Sequence, residues 1–385
     1  MKNQLRSPSG VGSRVRRLWI RAVSIVSLAV VIAAGAAVPA QASDAHGLPR
    51  AELQGLLDEL VDAGMPGAIG LVSHDGRVWQ GASGLRSLEP ARRMRPDDRV
   101  TIGSVTKTFV ATVTLQLVAE RKLALSDSVE RWLPGMVPNG ANITVQQLLN
   151  HTSGLFNYTE DPRVFEPYFN GDFGFVWQPS DLVAIAMEHP VLFAPGARHS
   201  YSNTGYILLG LIVEAVTGTG LRRQLEARIL RPLHLDRTAF PQSEVRGPLA
   251  HAYLIGAESL LDVTALSRSW AWAAGGMVST AEDLSRFYRA LLNGRLLTPA
   301  LLRAMLTTVP ITPGFRYGLG IAVVDLPCGT AIGHDGGDAG TQTWALTSVD
   351  LRDQVVMVVN AQDDDTVQGL VLDRVSRAFC AVRPS

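Results

Sequence analysis

One apolar segment, residues 101–118, constrains the fold more than any other part of the sequence. From Ser104 to Val118 it is apolar nearly all round at helical spacing, which predicts a helix buried inside a large core. Lys107 follows Ser104 by one helical turn, so both side chains share one face. The first-turn N–H groups behind the flexible Gly103 favour negative charge at the serine. The pattern is that of a nucleophile beside its base.

Lysine is rare in this chain: Lys2, Lys107 and Lys122 are the three lysines, against a large excess of arginine. Arginine keeps its proton in proteins, whereas burial can lower the pKa of a lysine until it acts as a base. The alternative interpretation is that Ser-x-x-Lys arises by chance and that Lys107 extends from a surface helix to solvent. Further motifs must decide between the two.

The first 42 residues predict a signal peptide. Six basic residues precede an apolar run from Ala22 to Val38, and Ala40-Gln41-Ala42 supplies the small residues of a cleavage site. We therefore expect a secreted, extracellular protein that starts near Ser43. The pair Arg16-Arg17 leaves twin-arginine export open beside the ordinary secretory route, and an uncleaved anchor is a third alternative.

Removing this leader leaves 29 basic against 35 acidic residues, a net charge of −6. A chain with this net negative charge has no excess of basic residues with which to bind nucleic acid or an anionic membrane surface. About 340 mature residues predict one large domain with an insertion, or two lobes. We expect a monomer without a membrane span after cleavage. We also expect no cofactor and no metal, since the histidines lack a ligand spacing such as His-Glu-x-x-His.

Cys328 and Cys380 are the two cysteines of the chain. Export places them in an oxidising compartment, which favours a disulfide between them; two buried free thiols are the alternative.

Alternating and helical patterns predict a mixed fold of the α/β (α+β) class. Helix and hairpin signals fill residues 49–82, strand signals return at 317–360, and a closing helix follows at 370–380. Between them, helices and loops predominate, with a long surface loop expected at 157–179. We predict one domain over residues 43–385, with an antiparallel sheet flanked by helices. Its sheet lobe spans about 43–124 and 276–385, and an inserted, mostly helical lobe spans about 125–275, with the ligand site in the cleft between the lobes.

Two further motifs carry functional groups. Tyr201 and Asn203 lie just before an apolar helix, where a phenol of lowered pKa can serve as a proton relay and an amide can hold a carbonyl. The stretch from Gly333 to Gly340 places His334 beside glycines that let a substrate backbone approach, and the N–H of Gly337 can face an oxyanion. Each motif alone has a structural alternative: the residues around Tyr201 and Asn203 can cap the helix that follows, and the stretch from Gly333 to Gly340 can be a turn between strands.

Taken together, the motifs Ser104-x-x-Lys107, Tyr201-x-Asn203 and His334-x-Gly336 resemble those of the penicillin-recognising serine hydrolases. The resemblance is to the class C β-lactamase and D-alanyl-D-alanine carboxypeptidase group, and within it to the secreted carboxypeptidases. His151-Thr152-Ser153-Gly154-Leu155 and Tyr317-Gly318-Leu319-Gly320 extend it over nearly the whole mature chain.

The resemblance implies a β-lactamase/transpeptidase-like fold and an acyl-enzyme on Ser104. Lys107 and Tyr201 would share the proton transfers, Asn203 would position the substrate, and His334 would support the relay. The oxyanion hole would consist of two backbone N–H groups, and further residues would line the substrate site. The oxyanion-hole N–H groups would be those of Ser104 and Gly337. The residues that line the substrate site would be Asp335, Gly336, Trp270 and either Phe156 or Tyr158.

Two departures bear on the substrate. Where the carboxypeptidases hold a terminal carboxylate with a hydroxyl residue and an arginine, this chain has Asp335 and Ala322. An anion repels a carboxylate and suits an amine, an amide or an ester. The resemblance favours a D-alanyl-D-alanine carboxypeptidase acting on cell-wall stem peptides. A D-aminopeptidase or amidase, an esterase, a class C-like β-lactamase and a non-catalytic penicillin-binding sensor are the alternatives.

Overall fold

The computed structural model of the protein describes residues 48–240, 249–256, 259–363 and 365–383. The predicted leader and its cleavage site lie outside the described residues. The strands are β1 (Gly67–His74), β2 (Arg77–Leu88), β3 (Ala91–Arg93), β4 (Val100–Thr101), β5 (Tyr253–Ile255), β6 (Leu260–Asp262), β7 (Val278–Ser279), β8 (Val309–Thr312), β9 (Phe315–Tyr317), β10 (Ala322–Leu326), β11 (Gly329–Asp338), β12 (Thr341–Ser348), β13 (Asp353–Val359) and β14 (Ala361–Gln362). The α-helices are α1 (Arg50–Asp62), α2 (Thr106–Ala119), α3 (Val129–Trp132), α4 (Val145–Leu149), α5 (Glu166–Phe169), α6 (Pro179–Met187), α7 (Asn203–Thr217), α8 (Leu221–Leu225), α9 (Trp272–Gly275), α10 (Ala281–Leu292), α11 (Pro299–Met305) and α12 (Asp365–Ala381).

Nine strands form one antiparallel sheet in the order β3-β2-β1-β13-β12-β11-β10-β9-β8. The two ends of the chain meet in its middle, where β1 pairs with β13 from Ala68↔Val359 to His74↔Asp353. Every residue of β13 is buried, in keeping with its continuous run of valines and methionine. The predicted fold class, an antiparallel sheet with flanking helices, is confirmed.

Helices cover both faces of this sheet. On one face lie α1 and α12; α1 turns four leucines, Leu53, Leu56, Leu57 and Leu60, into the core that it shares with α12 and the sheet. On the other face, α2 and α10 belong to a second core that continues into the helices of residues 125–275. At roughly 1.5–3 kcal/mol per buried leucine side chain, this burial is a main source of stability.

Helix α2 is buried along most of its length, as its apolar sequence predicts. Each of its residues from Thr106 to Leu115 is buried, including Lys107, which is 0% exposed. The helix does not begin at Ser104 as an α-helix, because residues Gly103–Val105 form a 3-10 turn ahead of it. That turn sets Ser104 at the entrance of the helix.

Two predicted segments differ in the structure. Within the range of strand signals at 317–360, residues 317–324 belong to two strands, β9 and β10, since residues 318–321 leave the ladder and fold onto α2. Gly320 has φ +77° there, and a Cβ on it would lie 2.3 Å from the Cβ of Ala111. The prediction of a surface loop at 157–179 is wrong in part. Several aromatic side chains of this segment pack into the core, and its backbone forms short helical turns. The buried residues of that segment include Tyr158, Val164, Phe165 and Tyr168.

Within the described part of the chain, no single helix is long and apolar enough to cross a bilayer. Helix α7 and the helical segment Leu221–Leu230 reach that length only as a pair bent by 79°.

Candidate active site

Lys107 lies at the centre of a closed hydrogen-bond arrangement beside Ser104. Its Nζ is 2.9 Å from Ser104 Oγ, 2.8 Å from Asn203 Oδ1 and 2.7 Å from the carbonyl oxygen of Ala274. Burial holds the pKa of Lys107 well below its usual value, while Asp335 raises it in part. Burial therefore favours the neutral amine.

All three partners of Lys107 are oxygens, so an ammonium can donate to each of them; the neutral amine that burial favours bonds to them differently. An uncharged –NH2 has two N–H donors and one lone pair, whereas an ammonium has three donors. The oxygens of Asn203 and Ala274 only accept, so they take the two N–H groups. The lone pair then faces the hydroxyl of Ser104, which is the geometry required of a base that removes the Ser104 proton.

The amide of Asn203 is oriented by residues that the motif search missed. Its Nδ2 donates to Asn157 Oδ1 at 3.2 Å and to Thr159 Oγ1 at 3.3 Å, which leaves Oδ1 directed at Lys107. Asn157 Oδ1 also accepts from the backbone N–H of Asn203 at 3.0 Å. Asn157 is 1% exposed, within the segment expected to be a surface loop. Asn157 follows the His151–Leu155 motif by two residues, and this proximity was the one indication in the sequence that it lies near the site.

Tyr201 donates its phenol hydrogen to Ser104 Oγ at 2.9 Å. Burial raises the pKa of Tyr201 well above its usual value, and the bond to Ser104 offsets this only in part. The expectation of a phenol with a lowered pKa is wrong, because burial of the phenol disfavours its anion more than its neighbours stabilise it. With Lys107 neutral, Ser104 Oγ can accept from Tyr201 and donate to Lys107, an arrangement in which the phenol can act as a proton donor and Lys107 as a base.

Strand β11 presents a free backbone edge to this group. In the described sheet, β10 pairs with β11 only as far as Ala322↔Gly333, so residues 334–338 have no strand neighbour on that side. A Cβ on Gly103 would lie 2.4 Å from the Gly337 carbonyl oxygen, and a Cβ on Gly336 would lie 3.1 Å from Ser104 N. Because the C=O and N–H of one strand residue point to the same edge, the N–H of Gly337 also faces the serine turn. Two backbone donors, from Ser104 and Gly337, therefore border one position.

His334 is buried on β11 and bonds away from the nucleophile. Its Nε2 pairs with the Tyr317 hydroxyl at 2.7 Å and its Nδ1 with the Asp335 carbonyl oxygen at 2.5 Å. Burial lowers the pKa of His334, although Asp335 opposes this. Among the described contacts, none joins His334 directly to Ser104, Lys107 or Tyr201. Tyr317 packs edge-on against the Tyr201 ring at 6.4 Å between centroids. His334 is therefore linked to Tyr201 through Tyr317.

A pocket opens next to Ser104 on the side of Gly337, with a free volume of about 390 Å³ that includes the solvent at its mouth. Trp270 lines this pocket, and so does Tyr158, whose hydroxyl donates to the Trp270 carbonyl at 2.5 Å. Phe156 does not line it; its ring stacks on His189 at 3.8 Å instead. The lining residues are Gly103, Ser104, Tyr158, Asn203, Trp270, Ala271, Ala274, Gly275, Gly337, Asp338, Ala339 and Gln362.

Asp335 lies on the same strand, outside the lining of this pocket. Its side chain is 26% exposed, and its Oδ2 accepts from Gln368 Nε2 of helix α12 at 2.7 Å. Two arginines lie next to the motifs in the sequence, Arg316 before Tyr317 and Arg198 before His199, and both have other partners. Arg316 pairs with Asp325 at 2.6 Å, and Arg198 lies 4.2 Å over the Phe193 ring. Gln368, like Asn157 and Thr159, is a residue that the sequence motifs did not indicate.

The structure pairs Cys328 with Cys380 in a disulfide that joins the start of the β11 hairpin to α12. Among the described residues, no three histidine, cysteine, aspartate or glutamate side chains group as metal ligands.

Comparisons with known proteins identify relatives that cover most of the chain. A solved structure of a D-stereospecific amidohydrolase from Streptomyces sp. is 40% identical with a TM-score of 0.78, over 84% of this chain and 98% of that chain. A D-amino acid amidase from Ochrobactrum anthropi SV3, complexed with L-phenylalanine amide, is 26% identical with a TM-score of 0.77, over 86% of this chain and 98% of that chain. Penicillin-binding protein 4* of Bacillus subtilis is 25% identical over 342 residues, 84% of this chain and 74% of that protein.

The family profile described as Beta-lactamase matches residues 53–378, nearly all of the described chain. The resemblance recognised from the three motifs is thereby confirmed. The chain belongs to the beta-lactamase family of serine hydrolases, whose members related to it include penicillin-binding proteins, D-amino acid amidases and esterases.

Proposed function

We propose that this protein hydrolyses amides of D-amino acids, and related esters, through an acyl-enzyme on Ser104. The observation that carries the reaction type is the buried Lys107 Nζ, which lies 2.9 Å from Ser104 Oγ, is held by two fixed acceptors and has a pKa lowered by burial. The 40% identity to a D-stereospecific amidohydrolase supports the substrate class.

In the acylation step, Ser104 Oγ attacks the substrate carbonyl carbon as its proton moves to Lys107 Nζ. The carbonyl oxygen becomes an anion that the N–H groups of Ser104 and Gly337 stabilise, and each such donor is worth about 10²–10³ in rate. The carbon–nitrogen bond then breaks as the nitrogen takes a proton from the Tyr201 hydroxyl. The proton held by Lys107 restores the phenol, and ammonia leaves.

Deacylation reverses these roles with water as the nucleophile. Lys107, neutral again, takes a proton from the water as its oxygen attacks the ester carbon. The tetrahedral intermediate collapses, Lys107 returns that proton to Ser104 Oγ as the ester bond breaks, and the D-amino acid departs. The amide of Asn203, fixed by Asn157, keeps Lys107 in place through both steps.

The resemblance alone favoured a D,D-carboxypeptidase, and that remains a second candidate. Asp335 argues against it, because a carboxylate leaving group would approach an anion that no described lysine or arginine neutralises. Arg316 and Arg198, the two arginines next to the motifs, have the other partners described above. An amide or ester leaving group meets no such repulsion.

The test is to incubate the mature protein with D- and L-phenylalanine amide, with D-alanine amide, and with an acyl-D-Ala-D-Ala peptide. Released ammonia and released D-alanine are measured separately. We expect ammonia from the D-amides, and its loss in Ser104→Ala. D-alanine release from the peptide with no amide turnover would favour the carboxypeptidase, and turnover that persists in Ser104→Ala would exclude the mechanism.

Intact-protein mass after incubation with benzylpenicillin separates the remaining alternatives. A stable adduct on the wild type, absent from Ser104→Ala, would indicate a penicillin-binding enzyme with slow deacylation. A transient adduct with consumption of the drug would indicate a β-lactamase. We expect no adduct, because benzylpenicillin carries a carboxylate that Asp335 repels.

We also propose that the enzyme is exported and works outside the cytoplasm. The basic and apolar segments of residues 1–42 support this, as does the disulfide between Cys328 and Cys380. N-terminal sequencing of protein recovered from culture medium should begin at or near Ser43; recovery of an uncut chain from the membrane fraction would overturn the proposal.

A further inference from the structure

The leaving-group side of the cleft can be identified from the strand. The pocket beside Ser104 is lined by Gly337, Asp338 and Ala339, the last residues along the free edge of β11. Asp335 stands two residues before Gly337, on the other side of the oxyanion donor, about 7 Å along the strand. A substrate whose acyl group fills the pocket therefore directs its leaving group towards Asp335.

The negative charge of Asp335 is uncompensated among the described residues. Gln368 donates a neutral hydrogen bond to Oδ2, and His334 Nδ1 lies 3.6 Å from Oδ1. His334 is 1% exposed and its pKa is lowered by burial, so it adds no positive charge near neutral pH. No described lysine or arginine forms an ion pair with Asp335.

Gln368 also fixes the carboxylate in place. It belongs to α12, and the bond from its amide to Oδ2 spans 33 residues of sequence. With one oxygen held by Gln368, the carboxylate is restrained and only 26% exposed to solvent. A fixed, partly desolvated anion interacts with a bound charge more strongly than a mobile surface anion does.

We propose that Asp335, oriented by Gln368, forms a leaving-group subsite selective for positively charged leaving groups, such as a quaternary ammonium alcohol or thiol. This inference rests on the proposed function, since it requires acyl transfer at Ser104. It assigns Asp335 as a specificity-determining residue and sets the order of leaving groups as cation, then neutral, then carboxylate.

Three thioesters of D-alanine with leaving groups of one size test the order. The thiols are thiocholine, its uncharged carbon isostere 3,3-dimethylbutanethiol, and 3-mercaptopropionate, and each released thiol is measured with a disulfide dye. For the wild type, we expect kcat/KM to fall about tenfold from cation to neutral and about tenfold again to the carboxylate, the effect of a nearby partly screened charge. The differences should shrink at high ionic strength.

Asp335→Asn keeps the size and the hydrogen-bonding capacity of the side chain, and we expect it to bring the three rates within about threefold of one another, because the charge is lost. Asp325→Asn is the matched control: it removes a more exposed carboxylate that pairs with Arg316 on the outer strands, and the order should stay unchanged. Asp335→Thr, which has no charge, should repeat the result of Asp335→Asn.

The outcomes separate the two proposals. If the neutral thioester is not cleaved, or is cleaved equally by Ser104→Ala, the proposed function fails. If it is cleaved through Ser104 but the wild type shows no charge order, or Asp335→Asn retains the order, the charge-selective subsite alone is overturned.

Discussion

The imidazole Nδ1 of His151 accepts a hydrogen bond from the backbone N–H of Ser202 at 3.2 Å. The carbonyl of His151 accepts from the N–H of Ser200 at 2.9 Å, and its ring packs 4.2 Å from the Tyr201 ring. One residue thus holds both neighbours of Tyr201 and the phenol itself. Burial lowers the pKa of His151 well below its usual value, which keeps Nδ1 available as an acceptor.

His151→Phe should retain the ring contact but remove the acceptor for Ser202. An unsatisfied buried N–H costs about 1–3 kcal/mol, so we expect the loop to shift and kcat to fall about tenfold or more while KM changes little. His199→Phe is the control, since His199 lies 5.8 Å from His151 and has no partner for its Nε2 among the described residues. Equal losses in both variants would mean that His151 acts only through packing.

The pH dependence of kcat/KM should follow Lys107. Only the neutral amine accepts the Ser104 proton, so activity is lost as the pH falls through the pKa of Lys107. Since burial lowers that pKa well below its usual value, the acid limb should lie far below the range of an exposed lysine. Lys107→Arg should lose about 10²–10⁴ in kcat, because arginine keeps its proton. An active Lys107→Arg enzyme would exclude Lys107 as the base.

Asp335→Asn should move the same acid limb to lower pH. Asp335 raises the pKa of Lys107 against the larger lowering by burial, so removing its charge leaves the lowering less opposed. The profile is measured with an uncharged substrate, so that the binding preference for cations does not enter. A limb that stays in place, or moves to higher pH, would contradict the coupling between these two residues.

Gly103→Ala should disrupt the oxyanion hole. Its Cβ would lie 2.4 Å from the Gly337 carbonyl oxygen, at a φ of +47°, so the serine turn and β11 must separate. Losing one oxyanion donor costs about 10²–10³ in kcat. Gly76→Ala is the control, because Gly76 also has a positive φ, +79°, but has open space around it. We expect this variant to lose about 1 kcal/mol of stability from backbone strain and to keep its kcat. Comparable kcat values in the two variants would contradict the prediction.

Replacing Cys328 and Cys380 together with serine should lower the free energy of unfolding by about 4 kcal/mol, the chain-entropy estimate for a loop of 52 residues. Urea unfolding of the oxidised wild type and the double variant measures it. Because the disulfide tethers the end of α12, far along the helix from Gln368, kcat near neutral pH should change little. A large loss of kcat without loss of stability would contradict this.

Local patterns in the sequence were sufficient for the buried α2, the Ser104 and Lys107 pair on one face of it, and the strands from both chain ends. A helical face depends on residues three or four apart, and a strand on alternation, so both can be read from neighbours. Tyr201, Asn203 and Gly337 entered through the motifs. The fold class followed from the order of the elements along the chain.

Only the tertiary structure decided which groups complete the site. The acceptors of Lys107 lie 96 and 167 residues away along the chain, and Asn157 lies 46 residues from the amide that it orients. It also reversed the expected pKa direction of Tyr201 and moved Phe156 out of the pocket. Hydrogen-bond completion and desolvation depend on every segment packed around an atom, and spacing within one segment carries no record of the others.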